Sequence, residues 1–151
     1  MGIFRKRNQQ DNVDVKSLFP ELIGDKRPFS CFPDYRTGHI AWIHDSMVDS
    51  VELLWLTSNP ETFFSRYQLA IKQAWEVVEA DRFGFHGNQA KQVLKVLNKH
   101  KAVIVNAFLK RCYKAGKFPY KQDEIIANRM NMPAESYEYF LQLQKNTANS
   151  R

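Results

Sequence analysis

Cysteine is scarce in this chain. Cys31 and Cys112 are the only two, and they are too few and too far apart for a disulfide framework. The opening MGIFRKRNQQDN is charged and is followed by no apolar segment, so no signal peptide is expected. Lys6 stands where N-myristoylation wants Ser or Thr. The longest apolar run, AVIVNAFL, falls far short of the ~20 residues that a membrane span needs. The expected setting is therefore a reducing cytoplasm, away from membranes. Glycine and proline, six each in 151 residues, are too sparse for a loop-rich all-β chain.

Catalytic patterns are missing as well. There is no GxSxG, no glycine-rich phosphate loop and no HExxH. His39 and His44 are five apart, with Asp45 adjacent and Cys31 upstream, but zinc prefers tighter pairs and no second pair exists. No metal and no cofactor is expected, and an enzymatic role has no constellation behind it. The carboxylate pairs Glu76/Glu79 and Asp123/Glu124 read as solvated surface. Cys112 has Arg111 and Lys114 nearby but lies on an apolar helical side, which reads as an inert core thiol.

Core material is plentiful. Eleven Phe, six Tyr and three Trp, with 44% apolar residues, argue for one folded domain that needs no staples. The expected organisation is a mobile basic and polar tail over 1–12, one helical domain over 13–145 and a polar tail over 146–151. A short helical turn is expected within 13–24. Pro28, Pro33 and the YRTGHI stretch, with Gly38 at a turn, suggest a short β-hairpin near 29–43.

From Asp45 the pattern turns helical, with Met47, Val48, Val51, Leu54 and Trp55 on one face. In TSNPETFFSRYQLA, Asn59 is the expected N-cap, Pro60 the first helical residue, and Glu61 favours the positive end of the dipole. That helix should run to about Asp81. Its polar residues Thr62, Ser65 and Arg66 fit either an anion site at a helix start or, as preferred here, a helix-initiating motif locked by Phe63, Phe64 and Tyr67. The words NPETFFSRY (59–67) are similar to a helix start in small uncharacterised proteins of Gram-positive bacteria and their phages. The resemblance implies a bacterial or phage origin and assigns no activity and no functional residue.

Gly84 and Gly87 should stop the helix, with Asn88 capping a long helix from about Gln89 to Ala115 that ends at Gly116. The fold class that follows is mainly α, a single compact domain of five or six helices. Its last two, around NMP, resemble a helix-turn-helix over 122–144, with Ala127 as the small residue and Asn131 in the turn. Glu135 and Glu138 on the outward face of the second helix, and Pro133 at its cap, depart from a duplex reader.

Acidic residues are absent from 87–121, which holds nine basic ones. Lys91, Lys95, Lys99, Lys110, Arg111, Lys114, Lys117 and Lys121 are the candidate contact residues for a polyanion or an acidic surface. The preferred reading is a non-catalytic interaction or regulatory module contacting an acidic protein partner. The alternative is nucleic-acid binding, with the basic helix on phosphates and a degenerate helix-turn-helix beside it.

Overall fold

Side-chain caps mark the starts of the first two α-helices. The computed structural model describes residues 14–22, 27–121 and 132–149. Among these residues there are five α-helices and no strand: α1 Tyr35–Leu56, α2 Pro60–Ala80, α3 Phe85–Lys99, α4 Lys101–Lys114 and α5 Ala134–Asn149. Short 3-10 turns occupy Val15–Leu18 and Phe29–Cys31. The mainly helical class read from the sequence is the one observed.

The segment 29–43 is not a hairpin. A 3-10 turn leads to Asp34, whose Oδ1 accepts from the Thr37 N–H at 2.7 Å, and α1 starts at Tyr35 rather than Asp45. Gly38 is helical, and Gly116 alone among the described residues has a positive φ. A glycine costs a helix about 1 kcal/mol relative to alanine. Burial of Ile40, Ala41, Ile43 and His44, on the face continued by Met47, Val51 and Leu54, outweighs that cost.

Asn59 behaves as expected. Its Oδ1 accepts from the Thr62 N–H at 3.0 Å, Pro60 opens α2, and Asp81 closes it. The Ser65 hydroxyl donates to the Thr62 carbonyl at 3.1 Å, while Phe63, Phe64 and Tyr67 are buried. The stretch initiates and anchors a helix.

The next boundary differs from expectation. α3 begins at Phe85, and Gly87 and Asn88 lie inside its first turn. Its capping acceptor comes from the helix before: Asp81 Oδ2 accepts from the Gly87 N–H at 3.3 Å. Asp81 lies close to Gly87, and Tyr67 reaches Leu97, so α2 and α3 form an antiparallel hairpin.

The expected single helix over 89–115 is two helices broken at His100. In an unbroken helix the Leu97 carbonyl would accept from the Lys101 N–H. Here the Tyr67 hydroxyl donates to it. Burial pushes the Tyr67 phenol pKa up, which keeps it a donor. α4 ends as expected at Gly116 (φ 74°), where Lys117 N–H reaches the Cys112 carbonyl and Gly116 N–H the Tyr113 carbonyl. That is a Schellman closure, which favours glycine.

α1 packs along α2 and α2 along α3, while α4 packs on α1 and α5. Phe63 of α2 stacks on Phe108 of α4 at 4.1 Å, which ties the hairpin to the second half of the chain. Gln144 of α5 clasps Tyr120 in both directions, accepting from its N–H at 2.7 Å and donating to its carbonyl at 2.9 Å. α5 extends to Asn149, past the expected limit at 145. The first half of the helix-turn-helix pattern (122–131) and the 1–12 tail lie outside the described residues.

Candidate partner-binding groove

The basic residues of 87–121 do not form one stripe. The break at His100 divides them, and their side chains take different roles. Arg111 is half-buried and directed inward: its Nη2 donates to the Leu54 carbonyl at 2.8 Å and the Thr57 carbonyl at 3.1 Å, and its Nε to Thr57 at 3.3 Å. These are carbonyls at the end of α1, where a cation also meets the negative end of the helix dipole. Beside it the buried Cys112 thiol donates to the Ser58 carbonyl at 3.2 Å, and burial pushes its pKa up. Lys110 is half-buried and already engaged. Lys114, Lys117 and Lys121 are exposed around the end of α4.

Lys91, Lys95 and Lys99 are exposed on α3. Two of them border a groove of about 670 Å³ between α2 and the α3–α4 corner. On the α2 side it is lined by Tyr67, Ile71, Trp75 and Val78, at the three- and four-residue spacing of one helix face. On the other side Leu94 and Leu97 complete an apolar floor. Lys91, Lys95, Asn98 and Lys101 supply the polar members, and among the described residues no carboxylate lines the groove.

Trp75 remains 54% exposed although it lines this apolar surface, so the groove opens to solvent. At the hairpin end Phe83 is 90% exposed, with the Lys91 ammonium 5.9 Å from its ring centre. Lys91 also donates to the Arg82 carbonyl at 2.8 Å. At the far end the Lys101 ammonium lies 5.6 Å from the Tyr67 ring centre, and partial burial lowers its pKa. An ammonium that has lost part of its water gains more from an arriving carboxylate than a fully solvated one.

Lys101 is absent from the candidates read from the sequence. On a single long helix it falls outside the lysine sector, on the face of Leu94 and Leu97 that lines the groove. Lys99, a sequence candidate, does not line it. On the α2 wall Tyr67 and Val78 are buried, whereas Trp75 is not.

α1 and α3 also share a buried polar contact. His44 is 1% exposed, and its Nε2 lies 2.8 Å from Gln89 Oε1. Gln89 in turn donates to the Glu21 carbonyl at 3.0 Å, which assigns the hydrogen to His44 Nε2. Nδ1 has no partner among the described residues, and the His86 ring stands edge-on at 4.5 Å. Burial lowers the His44 pKa; the Gln89 bond opposes this, and His86 adds to it.

The unfolded chain therefore binds more protons than the folded one between the lowered pKa and about 6.5. The His44 contribution to stability is complete above about pH 6.5 and is lost as pH falls through that window. The thermal midpoint should drop between about pH 7.5 and 5.5, and less steeply in His44→Gln. An identical pH slope in that variant would refute the assignment.

Among the described residues, no group of three His, Cys, Asp or Glu side chains is placed to hold a metal ion, and no helix is long and apolar enough to cross a membrane. Compared with known proteins, the chain matches no family model, no curated protein and no solved structure.

Proposed function

We propose that this chain is a non-catalytic interaction module that recognises an acidic protein partner through the lysine-bordered α2–α3 groove. The observation that carries the reading is the composition of that groove among the described residues: apolar floor, three ammonium groups along one side and no carboxylate. Charge complementarity of this kind selects partners and speeds their encounter. Nucleic acid is the less favoured partner. The outward face of α5 presents exposed Glu135 and Glu138, and the one arginine of the basic segment spends its donors on the end of α1.

Fluorescein-labelled polyglutamate tests the charge reading without assuming a partner fold. Its binding, followed by anisotropy, should weaken as salt rises. One exposed ion pair contributes up to about 1 kcal/mol. Lys91→Glu/Lys95→Glu replaces two attractions by repulsions and should weaken binding about tenfold or more. Lys99→Glu, outside the groove, should change it by less than about threefold. Equal losses in both variants would remove the groove from the reading. Retardation of random duplex DNA by micromolar protein at low salt would replace the acidic partner with nucleic acid.

A further inference from the structure

We infer that the groove seats an amphipathic α-helix of the partner, about three turns long, with carboxylates along one flank only. This deepens the reading of an acidic partner and depends on it. Three observations select the occupant.

The first is what the groove offers for hydrogen bonding. The Tyr67 hydroxyl is already given to Leu97, so Asn98 and the three ammonium groups are the main polar groups left on its walls. An extended peptide laid there would bury backbone N–H groups with almost no acceptor to meet them, and each unmet donor is costly. A helix satisfies its own backbone and needs only an apolar stripe from its host.

The second is length. Tyr67 to Val78 on one wall and Lys91 to Lys101 on the other each cover about 15 Å at the helical rise, or about three turns. A single-chain carboxylate amphiphile would employ one lysine and leave the others unmatched over that distance. It would also leave much of its tail wet, because the groove is open at Trp75. A helix presents several carboxylates along its length and keeps its far side polar for water.

The third is asymmetry. Every ammonium belongs to the α3–α4 side, whereas the α2 side is Ile71, Trp75 and Val78. The complementary helix therefore carries acidic residues on one flank of its apolar stripe and neutral or apolar ones on the other. Against such a helix Trp75 would lose most of its exposure.

The test uses a capped, alanine-rich peptide of about 14 residues, with leucines at helical spacing and glutamates on one flank. A second peptide has the same composition with the leucines spread around the wheel. The Trp75 indole N–H resonance, identified by its loss in Trp75→Phe, reports on the groove. The inference expects the first peptide to move that resonance and to bind about tenfold or more tightly than the second.

Equal binding by both peptides with the Trp75 signal unmoved would overturn the helix seat while leaving the acidic-partner reading intact. Failure of both peptides and of polyglutamate would overturn both. Dodecanoate shifting Trp75 and displacing the peptide would make the occupant a small amphiphile. A concentration-dependent Trp75 shift in the chain alone would make it a second copy of this chain.

Discussion

Phe63→Ala should be the most damaging single side-chain truncation in the hairpin, lowering stability by about 3–5 kcal/mol. Phe63 is fully buried. It stacks on Phe108 at 4.1 Å with 9° between the planes and meets Phe64 edge-on at 5.2 Å. Tyr67 stands 6.1 Å away, and the Arg111 guanidinium lies 5.7 Å from the Phe108 ring centre. One residue thus touches the start of α2, the middle of α4 and, through Arg111, the end of α1. Deleting its ring loses the transfer energy and leaves a cavity that three helices cannot close together. The aromatic geometry adds about 0.5–1.5 kcal/mol beyond area. For a chain of this size the thermal midpoint should fall by roughly 10 °C. Phe83→Ala is the matched control: at 90% exposure its loss should stay within about 0.5 kcal/mol. Comparable midpoints for the two variants in a denaturation scan would contradict the packing described for α2.

How far such contacts could be read from the sequence depended on whether the information was local. The α2 start was legible because Asn59, Pro60 and Glu61 act within one turn of one another. The Gly116 closure was legible for the same reason. The early start of α1 was hidden by Gly38 and two nearby prolines. These are strong local breakers, and they were overruled by burial of Ile40 and Ile43 in the turns that follow. The His100 break could not be read locally at all. There the Leu97 carbonyl accepts from a hydroxyl thirty residues upstream.

The candidate site shows the same division. The lysine surplus was visible in composition, but which lysines converge was not. Lys101 joins the groove on the face of Leu94 and Leu97, outside the lysine sector, and Arg111 turns inward to donate to the Leu54 and Thr57 carbonyls. Trp75 shares the helical spacing of Tyr67 and Val78, both of which are core. Only the packing of α3 beside α2 leaves it half open. Periodicity identifies an apolar face; it does not say whether a partner within the chain covers all of it.

Gly87→Ala should have the largest effect of any backbone-directed change, because the hairpin turn leaves no room for a β-carbon. A Cβ at Gly87 would lie 1.8 Å from the Asp81 carbonyl oxygen and 2.7 Å from its carbon. Both are main-chain atoms at the end of α2, so relief requires the two helices to move apart. The expected cost is about 3 kcal/mol, toward the upper part of the range for overpacking. At Gly84 the nearest atom to a new Cβ is Asp81 Oδ1, at 2.1 Å, which is the end of a side chain that can rotate away. That rotation gives up the bond to the Gly87 N–H, so Gly84→Ala should cost about 1 kcal/mol, the value of a lost cap. The two alanines differ in one further way. Displacing α3 from α2 separates the walls of the groove, so Gly87→Ala should alter the Trp75 indole resonance in the folded protein, whereas Gly84→Ala should leave it near its wild-type position. Denaturant titration of both variants, with the Trp75 signal recorded before unfolding, checks both halves. Equal stability losses would mean that the turn yields without moving α3. An unmoved Trp75 resonance in a destabilised Gly87→Ala would mean that the groove is shaped elsewhere than at the hairpin.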